Sequence, residues 1–90
     1  MTRQEFRTTL LERENGVVYT VIPFDPRDVW GRRVRHYITG TINGVPFEGS
    51  LGTRGGTWFF PLNKATRERI GVKAGDIVSV AILPQDKPTS

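Results

Sequence analysis

Arginine is concentrated in one short stretch of this 90-residue chain, and it is the residue type there best suited to recognition chemistry. The stretch contains four arginines and one tyrosine, which are Arg27, Arg32, Arg33, Arg35 and Tyr37. A guanidinium presents forked donors that fit phosphate or carboxylate oxygens, and clustered arginines suit the phosphate backbone of nucleic acids. The formal net charge of +4 permits such a partner. The first hypothesis is therefore a site for nucleic acid or another anion.

These arginines also have an ordinary structural interpretation. In a half-buried strand, Arg33 and Arg35 would point to solvent and pair with acidic residues across a sheet. The available partners are Glu5, Glu12, Glu14 and Glu48. A net charge of this size is also usual for small soluble domains that bind no nucleic acid. The charge pattern alone therefore leaves both interpretations open.

His36 is the only histidine and the only candidate for a general base. Its neighbours Val34 and Ile38 place it on the apolar face of a predicted strand, where a histidine is more typical of a structural residue. Acid–base catalysis needs a carboxylate or nucleophile within hydrogen-bond reach, and no local spacing supplies one. An enzyme with a site around His36 is therefore the less favoured alternative, and it requires His36 in an open cleft beside a carboxylate.

The other residues that could do chemistry fit structural roles. Asp25 precedes Pro26 and fits a helix N-cap. Asp76 follows Gly75 in a segment whose residue types are typical of a turn. Glu48 has no second carboxylate at a spacing that suggests a paired site. Residues 49–56 are rich in glycine but match neither phosphate-loop pattern. The absence of cysteine excludes disulfides and thiolate zinc sites, and with one histidine we predict no metal and no cofactor.

Three aromatic residues are candidates for contact with a ligand or partner: Phe24, Trp30 and Trp58. If exposed, they would form a patch of the kind that marks interaction sites. All three also lie where core aromatics belong in the predicted elements. Their burial decides between these hypotheses, because three fully buried rings would leave no patch.

The elements that position these residues are short strands and two short helices. We predict strands at 5–13, 17–22, 32–42, 45–51, 58–60 and 77–83 from apolar alternation and β-branched runs. Alternation within 32–42 directs Val34, His36 and Ile38 to one face, and it directs Arg33, Arg35 and Tyr37 to the other. Residues 52–56 are predicted as a flexible tip, and 84–90 as a flexible tail.

Caps and turns delimit these elements. Asp25 as N-cap and Gly31 as stop predict about one helical turn, and Asn63 and Gly71 delimit a helix over 64–70. Two Asn-Gly pairs, at 15–16 and 43–44, predict tight type I′ hairpin turns. Pro23 and Pro61 each end the strand before a helix.

The order of elements occurs twice. Each half has two strands, a proline, an Asx helix cap, a short helix, a glycine and a further strand. The prolines are offset by 61 − 23 = 38 residues. This pattern predicts pseudo-two-fold symmetry, in which one chain supplies both halves of a barrel and therefore folds as a monomer.

Several segments carry a family resemblance. They are Ile22-Pro23-Phe24-Asp25, Trp30-Gly31, residues 41–51 and residues 58–80. Together, over about residues 4–83, they resemble the bacterial domain family DUF1905, and they are more distantly similar to the AbrB/MazE swapped-hairpin barrels. The resemblance implies a double-split barrel and gives no mechanism. AbrB-like relatives are expected to meet DNA through an arginine-rich strand surface, and relatives of DUF1905 are expected to carry a helical domain after the barrel.

These observations predict a mainly β fold: a closed or partly open six-stranded double-split barrel over residues 1–83, with two capping helices. No apolar leader or membrane-length apolar run is present, so we expect a cytoplasmic protein without a membrane partner. The predicted function is a non-catalytic recognition or assembly module for a protein or small molecule. The alternatives are an AbrB-like nucleic-acid-binding module and, less favoured, the enzyme around His36.

Overall fold

The computed structural model describes residues 3–85 and contains eight strands and two helices. In chain order they are β1 (Gln4–Thr9), β2 (Leu11–Glu12), β3 (Val18–Val21), α1 (Pro26–Trp30), β4 (Tyr37–Ile42), β5 (Val45–Ser50), β6 (Gly52–Arg54), β7 (Thr57–Leu62), α2 (Lys64–Ile70) and β8 (Ile77–Gln85). The strands form two antiparallel sheets of four. The first sheet has the order β1-β8-β4-β5, and the second has the order β2-β3-β7-β6. The mainly β class is confirmed.

Two buried leucines carry the chain from one sheet to the other. Leu10 separates β1 from β2, and Leu51 separates β5 from β6. The Leu10 N–H donates to the Asp76 carbonyl at 2.9 Å, and the Leu51 N–H donates to the His36 carbonyl at 2.8 Å. Each side chain enters the core at the bend. The strand predicted at 5–13 is therefore one extended segment that is shared between two sheets.

The core lies between the sheets and follows the alternation of the strands. Buried positions on β8 are Val78, Val80 and Ile82, while the intervening residues face outward. Phe47 of the first sheet stacks on Phe60 of the second, with ring centroids 5.3 Å apart. Each such side chain contributes about 1.5–3 kcal/mol of hydrophobic stabilisation when fully buried. The inner faces of the two sheets therefore form a single core.

The strand orders agree with the predicted repeat. If β1, β2, β3 and β4 are exchanged with β5, β6, β7 and β8, each sheet reads as the same order in reverse. The helix caps are equivalent too: Asp25 Oδ1 accepts from the Arg27 N–H at 2.9 Å, and Asn63 Oδ1 accepts from the Thr66 N–H at 2.8 Å. Both predicted N-caps are confirmed. The two halves thus have one topology and equivalent helix caps.

The predicted strand over 32–42 is wrong in its first half. Only Tyr37–Ile42 is a strand, and residues 32–36 form a loop after α1. Gly31 ends the helix with a φ of 89°, and the neighbouring strands reach no farther than Tyr37, which pairs with Ser50 and Gln85. Among residues 3–85, the loop residues therefore have no strand to pair with. Val34, predicted on the core face, is fully exposed.

Strand β7, which forms a hairpin with β6, also departs from prediction. The strand predicted to stop at Pro61 runs through Leu62, with Pro61 opposite Tyr19. β6 covers β7 only as far as Phe59, so β7 is an edge on that side at Pro61 and the missing N–H costs no ladder bond. The predicted flexible tip is largely β6, and only Gly55 and Gly56 form the turn.

Turns and ends show two further differences. Asn43 and Gly44 both have positive φ, as a type I′ turn requires, but Asn15 does not. The first hairpin instead closes through the Gly16 N–H, which donates to the Arg13 carbonyl. β8 continues through Pro84 and Gln85, so this part of the predicted tail is paired with β4. The rest of that tail lies outside the described residues.

The hydrogen bonds do not close the strands into one sheet, so the predicted six-stranded barrel is not shown as such. The structure has eight strands because the strand predicted at 5–13 is divided at Leu10, and because part of the predicted tip at 52–56 forms β6 after Leu51. Between residues 3 and 85, neither helix has the length and apolar character needed to cross a bilayer.

Candidate functional site

A cleft of about 370 Å³ brings together most of the residues that could do chemistry. Its walls include Arg27, Arg33, Arg35, His36, Thr53 and Trp58. We call it the arginine cleft. These residues come from α1, the loop 32–36, β6 and β7. Among residues 3–85, the lining contains three arginines and no carboxylate.

Residues 32–36, which we call the arginine loop, are anchored at both ends. Asp25 caps α1 and Gly31 ends it with a backbone N–H that donates to the Arg27 carbonyl at 3.1 Å. At the other end, the His36 carbonyl accepts from the Leu51 N–H. Residues 32–35 therefore form a short segment between two anchored points, next to the cleft, in which Arg33 is half-buried and the other residues are exposed.

Arg27 is oriented by Asp25. Its Nη2 lies 2.7 Å from Asp25 Oδ2, and its Nε lies 3.0 Å from Oδ1 and 3.2 Å from Oδ2. The side-chain hydrogen bond from Arg27 lowers the pKa of Asp25 to about 2, and the same bond raises the pKa of Arg27. The Arg27 guanidinium carbon also lies 5.7 Å from the centroid of the Trp58 ring. The pair holds one guanidinium against the aromatic wall of the cleft.

The other members of the predicted arginine cluster divide into two groups. Arg33 and Arg35 line the cleft, and within residues 3–85 Arg35 forms no ion pair, including with the glutamates considered above. Arg32 is exposed and does not line the cleft. Tyr37 lies in β4 and pairs with Ser50 and Gln85, away from the cleft. Three of the five predicted residues are therefore brought together, by a loop and a helix and not by a strand face.

His36 is buried at the base of the cleft, with 4% of its surface exposed. Its ring meets Trp58 edge to face, with centroids 5.3 Å apart, and its buried Nδ1 has no hydrogen-bond partner in the described part of the chain. Burial lowers the pKa of His36, the charges of Arg33 and Arg27 lower it further, and Asp25 opposes them. The imidazole is therefore neutral at pH 7.

The geometry around His36 does not form a catalytic pair. The nearest influential carboxylate, Asp25, is engaged by Arg27, and none of residues 3–85 hydrogen-bonds the imidazole. A general base requires a partner proton or orienting group within reach. Over the same range, no three acidic or histidine side chains group as a metal site would require.

The three predicted aromatic contacts have different environments. Trp30 is buried and packs edge to face on Phe24 at 5.3 Å, so it belongs to the core. Phe24 and Trp58 are half-buried and together line a second groove beside the arginine cleft. Trp58 alone lines both. Of the three candidates, Phe24 and Trp58 therefore keep partly exposed aromatic surface.

The equivalent corner of the second half is built differently. There Leu10 takes the place of Leu51, and the Asp76 carbonyl takes the place of the His36 carbonyl. The Asp76 carboxylate accepts from the Lys73 N–H at 3.0 Å, so the loop before β8 is closed by its own side chain. The loop before β4 has arginines instead of such a cap. The arginine loop and His36 are therefore the main chemical difference between two otherwise similar corners.

A family comparison adds to this geometry. Residues 6–82 match the family model described as a domain of unknown function, DUF1905. The chain belongs to the DUF1905 family. No curated protein is similar enough to match it. The resemblance to DUF1905 is confirmed, and the description of that family assigns no activity.

Two residues of the cleft are not predicted as site residues from the sequence. The glycine-rich pattern predicts Thr53 in a flexible tip, and alternation predicts Leu51 only as a strand end. The sequence signal for the cleft is Gly31 followed by Arg32, Arg33 and Arg35. This segment can be recognised as a loop only when the lengths of the neighbouring strands are known.

Proposed function

We propose that this chain is a non-catalytic recognition module that binds an anionic partner in the arginine cleft. The observation that supports the proposal most strongly is the lining itself, in which residues 3–85 supply three arginines from two elements and no carboxylate. Guanidinium groups retain their charge at every physiological pH and present forked donors to oxyanions. A half-buried aromatic ring and a neutral imidazole complete a polar, concave site.

The proposed scaffold is a double-split barrel. Counting β1 with β2 and β5 with β6 as two bent strands gives six strands. Hydrogen-bonded neighbours then connect them in one circuit through β8, β4, β7 and β3. The backbone bonds at Leu10 and Leu51 support this interpretation. A barrel of this size is filled by side chains, so a ligand must bind outside the core, as it would in the arginine cleft.

A second candidate function is contact with a nucleic-acid backbone by the same loop. Arg32, Val34 and Arg35 are exposed, and the whole chain carries a net charge of +4. The strand-face geometry expected of AbrB-like DNA binding has little support, because the arginines lie on a loop around a concavity. Duplex binding would show a steep loss of affinity with rising salt.

Retention on phosphocellulose at low ionic strength tests the proposal. The variant Arg33→Glu/Arg35→Glu has a formal net charge of 4 − 4 = 0. The control Arg7→Glu/Lys73→Glu has the same net charge, and both of its positions are exposed and outside the cleft lining. We expect the wild type and the control to be retained and the cleft variant to elute without delay. Equal loss of retention in both variants would mean that net charge, and not the cleft, causes binding.

The cytoplasmic location and the monomeric state stay predictions. The monomer is supported by the first sheet, in which strands of the two halves alternate.

A further inference from the structure

We infer that the ligand of the arginine cleft is a phosphate monoester of a flat aromatic group, of the size and chemistry of a nucleoside monophosphate. This inference rests on the proposed anion-binding function and specifies the chemical class of the anion.

The arrangement of the arginines favours a phosphate over a carboxylate. Arg27 belongs to α1, and Arg33 and Arg35 belong to the loop, so the guanidinium groups of the lining come from two separate elements. A carboxylate is planar and offers two oxygens to one fork. A phosphate monoester is tetrahedral and offers three acceptor oxygens that point in different directions.

The remaining walls favour an organic, flat group. Trp58 is half-buried, its ring packs edge to face with His36, and the guanidinium carbon of Arg27 lies 5.7 Å from the ring centroid. These contacts fix the orientation of the indole before a ligand binds. Leu51 adds an apolar wall, and Val34 is fully exposed at the rim between two arginines. An inorganic anion would leave these surfaces unused. Aromatic side chains stack on nucleobases with little sequence preference.

The size of the cleft sets a limit on the ligand. A volume of about 370 Å³ lies at the lower end of small-molecule sites. A duplex backbone is convex and favours arginines on a flat or protruding surface, whereas these arginines surround a concavity. One nucleotide therefore fits the site better than a double helix does.

His36 supplies an independent indication that a polar ligand group belongs here. Its side chain is more than nine-tenths buried, it lines the cleft, and its Nδ1 has no hydrogen-bond partner among residues 3–85. Buried polar atoms are normally paired, and unpaired ones cluster at functional sites. Charged groups that face this imidazole are Asp25, Arg27 and Arg33. A phosphate oxygen bound nearby would favour the protonated imidazole.

Isothermal titration with three probes tests the inference: inorganic phosphate, adenosine and adenosine 5′-monophosphate. We expect the monophosphate to bind at least about tenfold more tightly than either part alone, because it uses both the arginines and the aromatic wall. Trp58→Leu should reduce the affinity for the monophosphate to that for inorganic phosphate and leave the latter unchanged. Arg33→Gln/Arg35→Gln should weaken both phosphates. Phe24→Leu, at the neighbouring groove, is the control and should change neither.

The outcomes separate this inference from the proposed function. Equal affinity for inorganic phosphate and the monophosphate would overturn the ligand class and leave anion binding in the cleft intact. No binding of either phosphate would overturn both. Tight binding of a short DNA duplex without binding of the monophosphate would replace the small ligand with nucleic acid. A circular dichroism spectrum of each variant shows that the fold is retained.

Discussion

His36, the single histidine of the chain, lies in an environment unlike that of an ordinary surface histidine. It is buried beside Trp58, and the guanidinium groups of Arg33 and Arg27 lie close enough to lower its pKa together with burial. A neutral imidazole in this position adds no positive charge to the cleft at pH 7. It becomes charged only at lower pH or when an anion compensates the two arginines.

The lowered pKa of His36 predicts a pH dependence of stability. Because its pKa in the folded chain is below the ordinary 6.5, the unfolded chain binds more protons as the pH falls below that value. The free energy of unfolding should therefore decrease between about pH 7.5 and about pH 5.5. Urea titrations should show a smaller decrease in His36→Gln. An identical decrease in both proteins would show that the imidazole of His36 is not the cause.

Gly40 is a second residue whose type is required by the fold, because β4 and β8 approach closely there. A Cβ at this position would overlap the carbonyl oxygen of Ala81 on the adjacent strand, whereas a Cβ at Gly49 would meet its nearest atoms at 3.9 Å. We expect Gly40→Ala to lower the free energy of unfolding by about 1–3 kcal/mol or more, because backbone must shift. Gly49→Ala should change it little. Chemical denaturation of the two variants measures the difference, and equal stabilities would contradict the close approach of β4 and β8.

At the scale of elements, capping residues explain why the helices could be predicted. Asn63 and Asp25 are good N-caps, and Gly71 has the positive φ of a C-terminal cap at 85°. These signals are local, so they are readable without tertiary structure. The start of β4 is different. β4 starts at Tyr37, which pairs with Ser50 at the end of β5 and with Gln85 at the end of β8. The alternation within residues 32–42 does not show where these two neighbouring strands end.

The cleft could be predicted only in part for the same reason. The arginines and His36 were recognisable by residue type, but they were assigned to opposite faces of a strand. The loop brings them to one site. Leu51 and Thr53 join them because the chain bends at Leu51 and starts β6, which requires knowledge of both sheets.

Removal of the Asn63 cap should destabilise the protein by about 1 kcal/mol, because the Thr66 N–H loses its side-chain acceptor. The variant Asn63→Ala should show this loss in urea denaturation, and Asn63→Asp should largely restore stability. If alanine and aspartate variants were equally stable, the cap would contribute nothing to α2.

At the scale of the whole molecule, the two halves are interleaved and do not form separate units. In the first sheet, β8 lies between β1 and β4, and β4 pairs with β5. Among residues 3–85, β1 pairs with β8 alone, and β8 belongs to the other half. The repeat could be predicted from order and spacing, but this exchange of strands between halves could not.

Interleaving predicts that neither half folds alone. Fragments 1–43 and 44–90, divided at the turn of Asn43 and Gly44, should each be unfolded by circular dichroism, because each lacks partners for an edge strand and half the core. Mixed in equal amounts, they should regain the spectrum of the intact chain. A stable fold in either isolated fragment would contradict the shared core.

The central claim is that the arginine cleft binds an anion, and mapping of bound phosphate by ¹H–¹⁵N NMR tests it most directly. With inorganic phosphate added to about 10 mM, tenfold above a weak millimolar dissociation constant, we expect saturable shifts at Arg33, Arg35, His36 and the Trp58 indole. Residues of the opposite corner, such as Lys73 and Asp76, should not move. Shifts that are absent, or that spread evenly over all arginines and lysines, would contradict the claim.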